Sequence, residues 1–248
     1  MTVVFVHGVP ETGAIWDRLR RRLDRESIAL NLPGFGTGRP AGFAGGKDRH
    51  AEWLAARLRE VEGPVDLVGH DWGALLTYRV VTAYDVPLRS WAADVAGVLH
   101  PSYVWHALAQ IWQTPGDGEA WFDRLLATPH DAPGSIAGVL RAQGVREADA
   151  RSLQEGIDEV MGREIVDLYR SATPNLYADW GAGLRETSAP GLALHPAGDP
   201  YDDRDAGAEV ARMLGAEVRV LDGVGHQWML QDPEQGADAL CGFWDAVG

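Results

Sequence analysis

The stretch Val65-Asp66-Leu67-Val68-Gly69-His70-Asp71-Trp72-Gly73-Ala74 constrains the fold more than any other part of this chain. Val65 to Val68 is a short apolar run, closed by Gly69, that reads as a buried strand. Ala74 to Ala83 has the pattern of a helix. The backbone must therefore turn from strand to helix within a few residues. Gly69 and Gly73, two positions either side of Asp71, permit so sharp a bend and leave the central side chain projecting.

The same alternation runs through the first hundred residues. Val3 to Val6, Ser27 to Leu32, Val65 to Val68 and Ser90 to Val95 read as strands. Between them lie helix-like segments: Ile15 to Leu23, with Ile15, Leu19 and Leu23 on one face; His50 to Val61, with Trp53, Leu54, Leu58 and Val61; and Ala74 to Ala83. Helix-length crossovers between short apolar strands predict an α/β fold with a mostly parallel sheet covered on both faces. Gly34 to Gly46 is glycine-rich and reads as a loop. From His100 to Trp180 no convincing strand appears, and helices are expected over Tyr103 to Trp112, Glu119 to Leu126, about Ala137 to Leu140, and Ile157 to Tyr169. Alternation then resumes with strands at Leu192 to Leu194 and Glu217 to Leu221 and helices at Ala206 to Leu214 and Pro233 to Trp244. Residues 1–99 and 181–248 are expected to form one core, and 100–180 a helical lid inserted into it.

A length of 248 residues with 46% hydrophobic content suffices for one sizeable core. The net charge of -14, with 22 basic against 36 acidic residues, argues against a polyanion partner. The basic run Arg18, Arg20, Arg21 and Arg22 reads as a solvated helix face, and Lys47 is the sole lysine. The single cysteine, Cys241, cannot form an internal disulfide and is expected in the core. No leader or long apolar segment is apparent, so the expected location is cytoplasmic, without a membrane partner. The eight histidines show no zinc-ligand spacing, and no nucleotide fingerprint occurs, so neither a metal nor a cofactor is expected.

An aspartate at such a turn can simply cap the following helix. It can also act as a nucleophile: a carboxylate needs no base before attacking an electrophilic carbon, and the product is an ester that water must cleave. Cleavage requires a histidine base and a group to orient it. His226, in Asp222-Gly223-Val224-Gly225-His226, follows the last strand on a flexible loop. Asp199, in Pro196-Ala197-Gly198-Asp199-Pro200, lies beyond the preceding strand and could hold the histidine tautomer. Asp94, Asp202 and Asp203 compete for that role.

These pieces together resemble the α/β-hydrolase superfamily over essentially the whole chain, and within it the epoxide hydrolase and haloalkane dehalogenase branch. The resemblance is carried by His7-Gly8-Val9-Pro10-Glu11, with Trp16 beyond it, by Asn31-Leu32-Pro33-Gly34-Phe35-Gly36 and by Gly69-His70-Asp71-Trp72-Gly73. It implies a sheet of about six strands, the chain starting at the family's third. It also implies a cis bond before Pro10, Asp71 as nucleophile, His226 as base and Asp199 as its partner. The backbone N–H groups of Val9 and Trp72 would form the oxyanion hole, and His7 would shape its loop. Epoxide opening in that branch uses lid tyrosines as hydrogen-bond donors. Tyr169 is the preferred donor here and Tyr103 the second, with Tyr177 also beside the lid. Trp105, Trp112, Tyr103 and Tyr177 are expected to line an apolar pocket.

The resemblance implies hydrolysis of a small or medium apolar epoxide to a vicinal diol, with water as the second substrate, by a monomer or homodimer. The rival is carbon–halogen hydrolysis or another α/β-fold hydrolase reaction. Many haloalkane dehalogenases carry asparagine where this chain has Val9, and fluoroacetate dehalogenases carry arginine where it has Trp72. A third possibility is a non-catalytic protein that binds an apolar metabolite on the same scaffold.

Overall fold

A computed structural model describes residues 1–248. Six strands form one sheet: β1 (Thr2–Val6), β2 (Glu26–Leu30), β3 (Val65–Gly69), β4 (Leu88–Ala93), β5 (Gly191–Pro196) and β6 (Glu217–Leu221). Their order is β2-β1-β3-β4-β5-β6 and every pairing is parallel. Each crossover carries helix or helical turn: α1 (Asp17–Arg20) follows a 3-10 turn at Gly13–Trp16, α2 (Lys47–Arg59) precedes β3, and α3 (Trp72–Ala83) follows it. The predicted strands are all present, with ends shifted by a residue or two.

The chain leaves β1 toward one edge of the sheet and leaves β3 toward the other. The crevice at the carboxyl ends of β1 and β3 is thus the topological switch point, where open α/β sheets bind ligands. Register pairs Val6 with Gly69, which sets the loop after β1 beside the turn after β3.

Between β4 and β5 the chain forms the helical lid: α4 (Ala107–Gln113), α5 (Asp117–Leu126), α6 (Ile136–Ala142), α7 (Glu147–Glu155), α8 (Glu159–Ser171) and α9 (Tyr177–Trp180). Helix α4 starts at Ala107, not Tyr103, because His106 is its N-cap: the ring Nδ1 accepts the Ala109 N–H at 3.2 Å. The chain returns to the core through α10 (Arg204–Leu214), α11 (Trp228–Gln231) and α12 (Pro233–Val247).

The lid is not a loose appendage. Trp105, Trp112, Phe122, Met161, Ile165 and Leu168 belong to the same apolar core as α2 and α3. Ala137, Leu140 and Ala150, on α6 and α7, join the core on the other face of the sheet, with Trp16, Trp228 and Phe243. Burial of a single large side chain of this kind stabilises by about 1.5–3 kcal/mol. Polar ties cross the seam as well. Lys47 is buried at the start of α2, with its ammonium 2.8 Å from Asp179 and donating to the Ser171 carbonyl. The Trp180 indole donates to Asp48 at 3.0 Å, and Arg39 pairs with the fully buried Glu164 of α8.

Two expectations about single residues are corrected. Cys241 is only partly buried, because it packs at the edge of its cluster and not within it. The basic run is solvated at Arg21 and Arg22 but tied down at Arg18 and Arg20. Arg18 reaches Asp149 of α7 at 3.3 Å and the Leu230 carbonyl, and Arg20 is held by Ser27 at 2.9 Å. No helix is long and apolar enough to cross a membrane.

Candidate active site

Asp71 occupies the turn between β3 and α3 with φ 50° and ψ -121°, a conformation that L side chains rarely adopt. Packing enforces it. A Cβ on Gly69 would stand 2.4 Å from the Gly73 carbonyl oxygen, and one on Gly73 would stand 2.3 Å from the Val6 carbonyl oxygen. The glycines therefore let α3 approach the ends of β1 and β3. Gly73→Ala is expected to cost roughly 2–4 kcal/mol, as backbone must shift to admit the methyl group. A thermal melt reads the result, and a variant melting with wild type would show that the turn tolerates relaxation.

Although Asp71 stands at the N-cap position, its side chain makes no capping bond to α3. Its carboxylate faces the loop after β1, where the Val9 N–H donates to Oδ1 at 2.9 Å. Of the two backbone groups expected to form an oxyanion hole, the Val9 N–H is bonded to Asp71. Val9–Pro10 is cis, as the motif implies. Pro10 and Asp71 share the cavity wall. His7 ties this loop down: its Nε2 accepts the Leu32 N–H at 3.0 Å, so Nδ1 carries the proton that it donates to the Gly8 carbonyl at 2.7 Å. Burial drives His7 down to about 4, which keeps it neutral.

His226 lies above Asp71, with Nε2 3.8 Å from Oδ2. Its Nδ1 is 2.8 Å from Asp199 Oδ2, and Asp199 Oδ1 accepts the Tyr201 N–H at 2.9 Å. Asp199 therefore fixes the ring so that the basic nitrogen faces Asp71. Burial opposes charge on His226, but Asp199 and Asp71 outweigh it and raise the group above the ordinary histidine value. Burial also pushes the Asp71 carboxyl up to about 6, against the pull of His226 and His70.

The competing aspartates have other partners. Asp94 sits 2.6 Å from His70 Nδ1, not on His226, and accepts the Asp71 amide N–H at 2.9 Å. Asp202 pairs with His195 at 3.1 Å, and Asp203 caps α10 through the Ala206 N–H.

Asp71 and His226 open into a cavity of about 250 Å³ between the two halves of the lid. Trp112, Trp121, Ile136, Leu140 and Leu153 make it largely apolar, and Tyr169 enters from α8. The other expected pocket residues lie elsewhere. Trp105 is buried in the lid core, with its indole donating to the Ala172 carbonyl at 3.1 Å and its ring stacked on Trp72. Tyr103 packs on Trp105 and lines a neighbouring cleft. Tyr177 packs over Gly181, away from the cavity.

Among the lining residues not expected from the sequence, two bring polar rings to the cavity, Tyr201 and His106. The Tyr201 ring lies 4.9 Å from that of His226 and 4.7 Å from that of His106. Its position two residues beyond Asp199 was a usable signal. His106 also lines the cavity. Because its Nδ1 accepts from Ala109, its Nε2 bears the proton, and burial lowers the ring to about 4, so it is a neutral donor. The Trp72 indole N–H is buried without an acceptor and faces the Tyr169 hydroxyl short of a hydrogen bond of normal geometry. No group of three or more acidic, histidine or cysteine side chains is placed to hold a metal ion.

A parallel sheet with a strained turn after its central strand, a lid over the switch point and a histidine–carboxylate pair above that turn define an α/β-hydrolase-fold enzyme. The chain belongs to the alpha/beta hydrolase family, whose sequence model matches residues 3–239. No curated protein matches it in sequence. Among solved structures it is similar to a loop variant of a haloalkane dehalogenase from Bradyrhizobium elkanii, with TM-score 0.74 and 20% identity over 99% of this chain and 89% of that one. It is similar to an epoxide hydrolase from Vigna radiata, with TM-score 0.75 and 18% identity over 99% and 91%. An esterase from Thermogutta terrifontis matches with TM-score 0.73 and 18% identity over 100% and 90%.

Proposed function

We propose that this chain hydrolyses a small apolar substrate through an ester on Asp71, and that the substrate is an epoxide opened to a vicinal diol. The observation that carries the ester route is the disposition of three groups on one cavity wall. The Asp71 carboxylate has the Val9 N–H on one side and His226 Nε2 3.8 Å away on the other, with Asp199 bonded behind the ring.

One Asp71 oxygen attacks carbon, and the carbon–oxygen bond of the ring breaks. The developing alkoxide takes a proton or hydrogen bond from a cavity donor, with Tyr169 first, and Tyr201 and His106 beside it. His226 Nε2 then removes a proton from water, whose oxygen attacks the ester carbonyl of Asp71. The Val9 and Trp72 N–H groups stabilise the oxyanion. Collapse expels the alkoxide, which takes the His226 proton. The second water proton, left on the Asp71 carboxyl, returns to the cavity donor that protonated the ring oxygen, so carboxylate, base and donor are all restored. The hydroxyl-bearing lid favours the epoxide, because a strained ether needs a donor at its oxygen.

Carbon–halogen hydrolysis is the second reading. It is favoured by the buried Trp72 indole N–H, which has no acceptor in the protein and lies next to the attacking residue. The haloalkane dehalogenase structures among the fold neighbours support this reading more than the first. Both need the same covalent ester, which a mere binding protein does not.

Styrene oxide and a short bromoalkane, offered separately, decide between them. Diol without bromide is the expected result. Bromide without diol would replace the first reading by the second. Turnover of activated esters alone, undiminished in Asp71→Ala, would overturn the ester route.

A further inference from the structure

We propose that His70 is a positioning residue that acts as a fixed buried cation, clamped between Asp94 and Glu11, holding the Asp71 carboxylate in its anionic form and tying together the three loops that carry the attacking group, the backbone donors and the base. The inference uses the reading of Asp71 given above for its functional half only.

The geometry of the ring itself argues for the charge. His70 is fully buried, with Nδ1 2.6 Å from Asp94 Oδ2 and Nε2 3.5 Å from Glu11 Oε1. A neutral imidazole has one donor and one acceptor nitrogen. Here a neutral ring bonded to Asp94 through Nδ1 would turn the lone pair of Nε2 toward the Glu11 carboxylate, whereas the imidazolium turns a proton there, although Nε2 faces Glu11 without forming a hydrogen bond.

Both carboxylates are held in place by further donors on their oxygens. Asp94 accepts from the Asp71 amide at 2.9 Å and the Trp228 indole at 2.7 Å. Glu11 accepts from the Gly8 amide at 3.0 Å and the Gln227 side chain at 3.0 Å. Burial alone would raise Glu11, yet His70 above all draws it down to about 2. Burial likewise opposes charge on His70, and Asp94 and Glu11 overcome it.

The loops joined in this way are the ones that matter. Gly8 precedes the Val9 donor, the amide bound by Asp94 is that of Asp71 itself, and Gln227 and Trp228 follow His226 directly. The other titratable groups facing the cluster are His226, whose ring centroid is 4.6 Å from that of His70, Asp71, and the neutral His7. The edge of Trp16 closes the remaining side. A cation at His70 opposes proton uptake by both Asp71 and His226, so it keeps the first ionised and the second available as a base.

Two measurements test this without any substrate, so their failure is separate from failure of the ester route. In wild type labelled with ¹⁵N-histidine and assigned through bonds, both ring nitrogens of His70 should remain protonated from pH 6 to pH 8. In His70→Gln, the ¹³C carboxyl titration of Asp71 should move upward by about one pH unit, since a neighbouring positive charge is gone. The acid limb of kcat/KM should move with it, which a purely structural role would not produce. A neutral His70 at pH 7, or an unmoved Asp71 midpoint, overturns the proposal. If His70→Gln does not fold, the wild-type nitrogen signals still decide it.

Discussion

Asp71→Ala is expected to lower turnover by at least about 10⁴-fold, because the covalent step disappears while the cavity persists. Residual activity near wild type would mean that water attacks the substrate directly under His226. The stability of the isosteric variant Asp71→Asn should move the other way. The folded-state Asp71 value of about 6 lies above that of an exposed aspartate. The folded protein therefore binds this proton more tightly than the unfolded chain. The stabilisation is complete below about pH 4 and is lost as pH rises through 6. At pH 8 the ionised side chain is a net cost, which asparagine removes. Asp71 is partly open to the cavity, so the gain is on the order of 1–2 kcal/mol, or a few degrees in Tm. Calorimetry at pH 8 and pH 4 should show the difference at the higher pH only. A lower Tm for Asp71→Asn at pH 8 would contradict this account of the site.

His226→Gln should separate the two chemical steps. The Asp71 carboxyl is retained in this variant with the Val9 N–H still facing it. At about pH 8 to 9, above a value that loss of His226 raises further, the carboxylate still attacks carbon. Without a base 3.8 Å away, the ester has no activated water. The expected outcome is a single rapid equivalent of substrate consumption followed by a steady state slower by about 10³-fold or more. Intact mass should rise by the whole epoxide, or by the alkyl fragment of a bromoalkane, and peptide mapping should place the addition on Asp71. Loss of turnover with no adduct would show that His226 is needed before the ester forms.

The parts legible in the sequence are those fixed by local rules. Short apolar or alternating runs ended by glycine or proline marked the strands, and the Gly69–Gly73 spacing marked the turn whose strain is seen at Asp71. The loops of Asp199 and His226 could be placed because both follow adjacent strands of a parallel sheet. What could not be read depends on packing across long separations. Trp105 and Tyr177 had the composition of pocket residues, but stacking on Trp72 and closure over Gly181 turn them elsewhere. His106 looked like one more helical residue, while its ring in fact starts the helix. The Glu11–His70–Asp94 cluster joins residues that only the β1–β3 register and the end of β4 bring together. Asp94 therefore read as a rival partner for His226, though its place behind the turn gives it to His70. Helix α7 has a single fully buried residue, Ala150, and so too weak a stripe to announce itself.

The lone lysine has a practical consequence. Lys47 is enclosed where α2 meets the end of the lid, with its ammonium engaged by Asp179 and the Ser171 carbonyl. Beside the N-terminal amine, acylating reagents thus have one side-chain amine to attack, and it is shielded whenever lid and core are in register. The pace of acylation becomes an intrinsic clock for how often the two part, with no reporter group to be engineered.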